Sequence, residues 1–427
     1  MSSDSTKQWM KLDNAAKIYP AVKSRTWTAL FRLSAELTDP IDPQLLCRAL
    51  SSTLKRFPSF SVRLRHGFFW YYFEQIDGAP QIQHDVANPC ARMDLRENNG
   101  FMFRVRYHAN RIAIEIFHAL TDGAGGLCFL KTLVAEYLTL KYKINIPRSN
   151  QILDCSEQPK PDELEDSFLK FARQVGRSRS ESSAYHITGT SGEPHYLNII
   201  TGKIPAHTLI AYAKEHDVTV TEFLAALLIQ SIYRLQSKEH SRVKRYKPVK
   251  ICIPINLRKF YPTNTMRNFS SYINPGIEPK YGNYTFEEIL KNVHYYMGLE
   301  LTEKLLNAKM STNVITERNM LLRATPLFIK NPTMKFVFRM KGDRQSSSTI
   351  SNLGVISLPE EMSRYVTRMD FMLGPLSHNC ITCGVLTYCD SLIITFTRSI
   401  KETDVERNFF RALIKMGIPV KIESNQR

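Results

Sequence analysis

The sequence of 427 residues lacks a hydrophobic run that could cross a membrane. Its longest apolar run, Phe223 to Ile229, is far shorter than the roughly 20 residues that a spanning helix requires. The segment from Met1 to Pro20 is polar and carries charges of both signs, so it also lacks the apolar core of a signal peptide. We therefore expect a cytoplasmic protein with no transmembrane segment.

Cysteine is sparse, with eight residues scattered along the chain, which excludes the dense disulfide framework of a small secreted domain. Cys380 and Cys383 have the spacing of a redox or zinc pair. They lie in an apparent strand, however, where residues three apart point to opposite faces, and no second pair completes a zinc site. We expect reduced thiols and no bound metal.

Nucleotide-binding and zinc-protease motifs are also missing. Gly123, Gly125 and Gly126 follow a predicted strand, as in a dinucleotide-binding turn, but Cys128 stands where the third glycine or alanine belongs. No acidic residue follows about 20 positions later, because Tyr142 stands there. Neither a Walker loop nor a His-Glu-x-x-His segment occurs. These absences argue against NAD binding.

Negative charge is in short supply, because 57 lysine and arginine residues face 40 aspartate and glutamate residues and the formal net charge is +17. Such a surface attracts anionic partners. Phosphate-bearing small molecules, acidic proteins, nucleic acid and an anionic lipid surface all fit this description. The charge is spread out, with local concentrations at 242–250 and 335–344. We therefore favour a solubilising or steering role and expect no nucleic-acid partner.

The composition, 43% hydrophobic and 23% charged, is that of a folded globular protein, and the length suffices for two sizeable cores. A polar, proline-containing stretch from Asn150 to Ser191 has no sustained periodicity and predicts a linker, interrupted by a short helix near Phe168 to Val175. We therefore predict an N-terminal lobe at residues 1–175 and a C-terminal lobe at residues 176–427.

Hydrophobic periodicity predicts mixed α/β layers rather than a regular βαβ repeat. In the N-terminal lobe we expect a strand at 26–37, a helix capped by Asp42, and hairpins at 60–74 and 101–117. The aromatic run Phe68 to Phe73 is predicted to lie in the sheet core rather than in a substrate pocket. The elements expected in the second lobe are strands at 196–202, 247–257 and 349–356, helices at 219–235, 286–306 and 309–323, a hairpin at 381–397 and a helix at 402–416.

The chemistry is expected in the stretch from Ile112 to Tyr142. Three isoleucines alternate with other residues over 112–117, which predicts a strand that ends at His118, and an amphipathic helix follows. A histidine held in a strand-to-helix turn suits a general base, because imidazole titrates near neutral pH. Asp122, four residues on, is its expected orienting or structural partner.

The segment from Phe117 to Gly123 reads Phe-His-Ala-Leu-Thr-Asp-Gly and resembles the HxxxDG signature of the coenzyme-A-dependent acyltransferase superfamily. This superfamily includes chloramphenicol acetyltransferase, alcohol acetyltransferases, wax-ester synthases, polyketide-associated acyltransferases and the condensation domains of peptide synthetases. Further stretches similar to motifs of the same superfamily span most of the chain: Leu54–Pro58 followed by Val62-Arg63, Pro254–Arg258, and Ile350–Gly354.

The resemblance implies two chloramphenicol-acetyltransferase-like lobes with a substrate channel between them. It implies that His118 is the general base in a direct transfer of an acyl group, with acetyl favoured, from acyl-CoA to a hydroxyl. No cofactor would be bound permanently. Asp122 would be structural and would pair with an arginine of the N-terminal half, for which Arg63 is the candidate.

Four further residues are candidates for stabilising an oxyanion or for binding the coenzyme. Ser351 and Asn352 can donate hydrogen bonds to a developing oxyanion if their turn faces the catalytic histidine, although a plain turn role is equally open. Gly123 and Arg258 are assigned to coenzyme binding. For Arg258, a framework contact or a plain surface position also stays open.

One departure from the family pattern bears on the reaction. Condensation domains usually carry two consecutive histidines, whereas Phe117 occupies the first of these positions here. This favours the acetyltransferase-like branches over peptide-bond formation between carrier proteins. Two alternatives stay open: an acyl-carrier-protein-dependent transferase of a biosynthetic pathway, and a non-catalytic binding protein that has kept the fold.

Overall fold

The computed structural model describes residues 8–22, 28–176, 181–193, 196–240, 242, 245–341, 343–376 and 379–426. The strands in these ranges are β1 (Trp9–Lys11), β2 (Leu30–Leu37), β3 (Val62–His66), β4 (Tyr71–Gln75), β5 (Gln83–His84), β6 (Phe103–His108), β7 (Arg111–Phe117), β8 (Asn198–Pro205), β9 (Val249–Asn256), β10 (Ser270–Ile273), β11 (Gly276–Ile277), β12 (Ser348–Ile356), β13 (Val366–Leu373), β14 (Ile381–Tyr388), β15 (Ser391–Arg398) and β16 (Lys421–Ser424). The helices are α1 (Ile18–Val22), α2 (Pro43–Arg56), α3 (Gly123–Tyr142), α4 (Ser167–Phe171), α5 (Ala206–Glu215), α6 (Val220–Glu239), α7 (Phe286–Glu300), α8 (Glu303–Arg318), α9 (Met320–Ala324), α10 (Leu327–Lys341), α11 (Glu360–Ser363) and α12 (Asp404–Lys415).

Two large sheets, each packed against helices, form two lobes. The five-stranded sheet has the order β13-β2-β7-β6-β5, and α3 packs on its strands β2 and β7. The eight-stranded sheet has the order β10-β9-β12-β14-β15-β8-β16, with β11 also paired to β9, and α5 and α6 pack on it. Strand β12 runs parallel to β9 and β14, while β14, β15 and β8 are antiparallel neighbours. The predicted mixed α/β class with two lobes is therefore confirmed.

The C-terminal half supplies one strand to the first sheet. Strand β13 pairs antiparallel with β2, with Phe371 opposite Leu33, and covers an edge that would otherwise expose unpaired backbone groups. Met369 and Phe371 are buried in the core of the first lobe. The predicted lobes at 1–175 and 176–427 therefore do not coincide with the two sheets, because β13 crosses back. A boundary near residue 175 stays a prediction.

Strand β7 lies between β2 and β6, and both of its faces are buried. Its three isoleucines are buried in the core of the first lobe. On the other face Glu115 is also fully buried, and its carboxylate accepts hydrogen bonds from Arg32 (Nη1 to Oε1, 3.0 Å) and Arg104 (Nε to Oε2, 2.5 Å). Because a buried carboxylate is tolerated only with partners, these arginines explain how β7 can be covered on both sides up to its end.

Two predicted helix starts are confirmed. Helix α2 begins at Pro43, and the side chain of Asp42 accepts hydrogen bonds from the backbone N–H groups of its first turn, at Gln44 and Leu45. Helix α6 begins after Thr219, which forms a reciprocal capping box with Glu222. The predicted hairpins at 60–74, 101–117 and 381–397 also form.

Other expectations were less accurate. The helices predicted at 286–306 and 309–323 break instead at Leu301, and a third short helix restarts where the Asn319 side chain accepts from the backbone N–H groups of Leu321 and Leu322. Hydrophobic periodicity and capping residues do not predict α5, α10 or β16. Across the described ranges, no individual helix is both long and apolar enough to cross a membrane, and only α5 and α6 together, bent by 85°, reach that length and composition.

Candidate active site

A cavity of about 2400 Å³ is lined by residues of both lobes. His118, Asp122 and Gly123 line it from the turn between β7 and α3, and Ser351 and Asn352 line it from β12. The two lobes thus bring together residues that are far apart in the chain. The cavity occupies the place where the resemblance predicts a substrate channel.

The His118 side chain is held from several sides. Its backbone N–H donates to the carbonyl of Ala29 (2.8 Å), which ties the turn to the segment before β2. The imidazole stacks on the Tyr19 ring, with centroids 4.7 Å apart and planes within 16°, and meets Phe31 edge-on at 5.2 Å. Its Nδ1 lies 3.1 Å from the Oδ1 atom of Asn268. The ring orientation is therefore set by neighbours from three separate parts of the chain.

The contact with Asn268 also decides which imidazole nitrogen carries the proton. The Asn268 Nδ2 group donates to Asp13 (Oδ2, 3.3 Å) and to the carbonyl of Ala119 (3.4 Å), so its Oδ1 faces the ring as an acceptor. An acceptor at this position requires N–H at Nδ1, which leaves the lone pair on Nε2. Burial lowers the pKa of His118 below its ordinary value, so the neutral, basic form predominates at neutral pH.

Asp122 is the N-cap residue of α3, and its carboxylate is fully engaged. Oδ1 accepts from the backbone N–H of Gly125 (3.1 Å), while Oδ2 accepts from the backbone N–H of Phe269 (2.8 Å) and from Nη1 of Arg258 (2.8 Å). Burial alone would raise the pKa of Asp122, but Arg258 and the two N–H groups lower it below its ordinary value. These are the contacts of a residue that fixes the turn.

The arginine that meets Asp122 is therefore Arg258, and the prediction that Arg63 fills this place is wrong. Arg63 lies on β3 and pairs with Glu74 on the neighbouring strand β4, because the hairpin places these two residues directly opposite each other. Arg258 instead comes from the 3₁₀ turn that follows β9. The predicted arginine partner exists, but the C-terminal half supplies it.

Arg258 makes framework contacts with most of its donors. Its Nε donates to the carbonyl of Thr265 (2.9 Å) and its Nη2 to the carbonyl of Arg267 (2.5 Å). In addition, Thr121 within the motif donates its hydroxyl to the carbonyl of Met266 (2.5 Å). We call residues 256–269 the clasp, because they contact both His118 and Asp122. A contact of Arg258 with a coenzyme phosphate stays a prediction.

Two residues that support the His118 side chain, Asn268 and Asp13, are not predicted from the sequence. Asn268 is 150 positions from the histidine that it contacts, and no local pattern indicates this contact. Asp13 lies in the N-terminal arm, fully buried, where its Oδ1 accepts from the N–H of Ala16 (2.7 Å) and its Oδ2 lies 3.7 Å from Nε of Arg267. Burial raises the pKa of Asp13. The one signal that pointed to this region was the Pro254–Arg258 stretch, which opens the clasp.

Two glycines in the first turn of α3 stand where a side chain would collide. A Cβ atom on Gly125 would lie 2.1 Å from the Thr121 hydroxyl and 2.4 Å from the carbonyl oxygen of Met266 in the clasp. A Cβ atom on Gly123 would lie 2.9 Å from the Leu353 side chain on β12. The start of α3 is therefore pressed against both the clasp and β12. A coenzyme contact of Gly123 stays a prediction.

Ser351 and Asn352 lie on the cavity side of β12 but differ in their contacts. The Asn352 amide donates to the Thr221 hydroxyl (3.0 Å) and accepts from the N–H of Gly354 (2.8 Å), where the backbone of Gly354 has φ +78°. Asn352 thus has a turn role. The backbone of Ser351 pairs with β14, but its hydroxyl lines the cavity and forms no hydrogen bond with another described residue, so this hydroxyl is the freer oxyanion-donor candidate.

The aromatic run at the first hairpin was predicted to be sheet core, and this is wrong for most of it. Phe73 alone of the six is fully buried. Phe68 and Trp70 are 64% and 51% exposed, because they lie in the turn between β3 and β4 rather than in the sheet. The segment from Phe69 to Tyr72 lines the cavity.

Within the described ranges, no group of three or more His, Cys, Asp or Glu side chains could hold a metal ion.

No protein-family model and no curated protein matches this sequence. Solved structures do match it. Polyketide synthase associated protein 5 from Mycobacterium tuberculosis superposes with a TM-score of 0.64 at 13% identity, covering 95% of this chain and 97% of that chain. A variant of the starter condensation domain of rhizomide synthetase, in complex with C8-CoA, gives 0.63 at 13% identity over 95% and 94%.

A trichothecene 15-O-acetyltransferase from Fusarium sporotrichioides also matches, with a TM-score of 0.59 at 10% identity over 97% of this chain and 95% of that chain. The chain has the fold of these condensation-domain and acetyltransferase structures. Because each match covers nearly the whole chain, the shared fold includes both lobes. At such low identity the likeness concerns the fold.

Proposed function

We propose that the protein is an acyltransferase that moves an acyl group, with acetyl the first candidate, from acyl-CoA to a hydroxyl acceptor. The observation that carries the proposal is the state of His118. Its Nδ1 is bound by Asn268, its pKa is lowered by burial, and its ring lines the cavity between the lobes. A neutral imidazole with its lone pair on Nε2 is the group that a general base requires.

The proposed reaction has two steps. Nε2 of His118 takes the proton from the acceptor hydroxyl while the oxygen attacks the thioester carbonyl, which gives a tetrahedral oxyanion. The Ser351 hydroxyl is the candidate donor to that oxyanion. The intermediate then collapses with cleavage of the C–S bond, and the imidazolium returns its proton to the departing CoA sulfur. The products are the ester and free CoA thiol, and no acyl-enzyme is formed.

The contributions differ in size. General-base assistance typically supplies about 10²–10⁴-fold. One oxyanion donor adds about 10²–10³-fold. Holding donor and acceptor together must provide the rest. The cavity volume of about 2400 Å³ exceeds the roughly 300–1000 Å³ of a typical site for one small molecule, which supports simultaneous binding of two substrates.

The test is a thiol-release assay with a panel of acyl-CoA donors against pooled alcohols and amines. The wild-type protein should release CoA thiol with at least one pair, and His118→Ala should lower that rate by about 10²–10⁴-fold. Thermal unfolding of the variant should stay close to wild type, since the ring lines a cavity. Full activity in a folded His118→Ala protein would refute the mechanism.

A transferase that uses an acyl-carrier protein as donor is the second candidate. Two observations favour it: the net charge of +17, which suits an acidic carrier, and the likeness to a condensation domain. Salt-sensitive capture of an acylated carrier protein, followed by transfer that acyl-CoA does not support, would select this candidate. Efficient turnover of free acyl-CoA would select the first.

A further inference from the structure

Helix α10 is apolar on two sides, although only one side has a partner among the described residues. Leu327, Met334 and Phe338 lie on one side and line the cavity. Ile329 and Phe336 are seven positions apart, so they share the opposite side, where they are 48% and 66% exposed. The apolar side of a helix is normally packed against a core or against another apolar surface. The outer side of α10 therefore exposes large apolar side chains that a helix normally buries.

The turn between β3 and β4 extends this exposed surface. The Phe68 ring lies against Phe328 with centroids 6.2 Å apart, and the carbonyl of Phe68 accepts from the N–H of Leu327 (2.9 Å). Lys330 donates to the carbonyl of Phe69 (3.0 Å), and its ammonium lies 5.6 Å from the ring centre of Trp70. The turn and the helix therefore form one continuous surface.

Helix α9 lies next to α10, because Lys330 Nζ donates to the carbonyl of Arg323 (3.2 Å). It adds two side chains, Met320 and Leu321, which are 83% and 81% exposed. We call the exposed apolar side chains of this region the apolar rim. Its members are Phe68, Trp70, Met320, Leu321, Phe328, Ile329 and Phe336. Scattered single apolar residues are normal on a protein surface, but a contiguous group of large ones marks an interaction site.

The charge around the apolar rim selects the kind of partner. Residues 318–342 contain six lysine and arginine residues and no aspartate or glutamate. Large apolar side chains, aromatic residues and cations together are the composition of surfaces that lie in the interface of an anionic membrane. An acidic protein would satisfy the cations, but it would also have to match the shape of seven protruding apolar side chains, whereas lipid chains adapt to them.

The cavity opens at this surface. Trp70, Leu322 and Val337 are each about half exposed and also line the cavity. We propose that the apolar rim docks the protein on an anionic lipid bilayer, with this mouth of the cavity facing the lipid. A substrate with a long hydrocarbon chain then passes between bilayer and cavity without crossing water. The docking surface itself does not depend on the proposed reaction.

The experiment is co-sedimentation of the full-length protein with vesicles of phosphatidylcholine alone or mixed with phosphatidylserine. We expect binding to the anionic vesicles that weakens with salt. The double variant Phe328→Glu/Phe336→Glu should lower the bound-to-free ratio at least about tenfold. The matched control is Tyr295→Glu on α7, where an aromatic residue is equally exposed, at 70% against 69% for Phe328, and binding should persist.

Two further variants test the charge and separate docking from catalysis. Lys335→Glu should weaken binding more than Lys415→Glu, because Lys335 adjoins Phe336 on α10 whereas Lys415 is an exposed lysine on α12, which carries no residue of the apolar rim. His118→Ala should bind vesicles as the wild type does, so a failure of docking and a failure of the proposed reaction give different results.

Three results would overturn the proposal. The first is absence of vesicle binding by the wild type, and the second is equal loss of binding in Tyr295→Glu. The third is that the apolar rim captures an acidic acyl-carrier protein while the protein does not bind vesicles, because this would assign the apolar rim to a protein partner.

Discussion

The ends of β7 and β9 reach the same site and serve it in different ways. After β7 the chain turns at His118, whose imidazole is the candidate base, and Asp122 begins helix α3. After β9 the chain forms the clasp, which begins with a short 3₁₀ turn. From the clasp, Arg258 contacts Asp122 and Asn268 contacts His118. One strand end carries the candidate base, and the other holds its ring in place.

The difference shows that the motif does not support itself. A buried carboxylate and an oriented imidazole each need a partner, and the residues near Asp122 in sequence supply only the N–H of Gly125. The charged partner and the imidazole acceptor both come from the second half of the chain. The contacts between the two halves of the chain therefore set the geometry of the site. Substitutions in the clasp should disturb the positions of His118 and Asp122.

The largest expected effect on stability is that of Arg258→Met. This change leaves the Asp122 carboxylate buried without its ion-pair partner, and the free energy of unfolding should fall by about 3–5 kcal/mol. Arg63→Met is the matched control, because its pair with Glu74 is partly exposed and should be worth about 1 kcal/mol or less. Urea unfolding measures both. Equal losses would contradict the assignment of Arg258 as the anchor.

Gly125→Ala should come next. The added Cβ collides with Thr121 and with backbone of the clasp, so we expect a loss of about 1–3 kcal/mol in unfolding free energy, together with lower activity. Gly298→Ala on α7 is the control, because a Cβ there meets nothing within 4 Å and alanine favours a helix. If Gly125→Ala unfolded like the control, the close approach of α3 to the clasp would be disproved.

Asp122→Asn tests the charge with little change in shape. Burial opposes the lowered pKa of Asp122, but Arg258 and the two N–H groups prevail, so the folded state binds this proton more weakly than the unfolded state. Its stabilisation is therefore present above the unfolded pKa and is lost as the pH falls through the folded pKa.

We expect Asp122→Asn to be less stable by about 1–3 kcal/mol at neutral pH, because a buried bond between charged groups is weakened. The free energy of unfolding of the variant should also fall less steeply than that of the wild type below about pH 4, where an ordinary aspartate titrates. Urea unfolding at a series of pH values measures both effects. An unchanged pH dependence would remove Asp122 from this role.

The smallest effect is that of Asn268→Leu, which removes the acceptor for Nδ1 of His118. Loss of about one hydrogen bond corresponds to roughly a tenfold decrease in kcat. Because Asn268 raises the pKa of His118 against the larger effect of burial, the acid limb of the pH–rate profile should move to lower pH. Asn268→Asp, which keeps an acceptor, should move it to higher pH. Identical profiles in all three proteins would exclude a positioning role.

Much of the site could be predicted because it is local. The strand, turn and helix around His118 occupy one stretch, so periodicity and the motif located both His118 and Asp122. The arginine partner was misassigned because Arg63 and Arg258 both lie at strand ends, and sequence cannot distinguish which of them reaches Asp122. The aromatic run at 68–73 was misassigned for a related reason, since alternation does not show where a hairpin turns.

The mixed α/β class, most elements and the position of the candidate base can be predicted from the sequence, because they depend on short-range patterns of hydrophobicity and capping. Three other features are visible only in the folded chain: β13 joins the first sheet, residues 256–269 hold the motif, and α10 presents an apolar side to solvent. These features depend on contacts between segments far apart in the chain, and such contacts leave no periodic trace in the sequence.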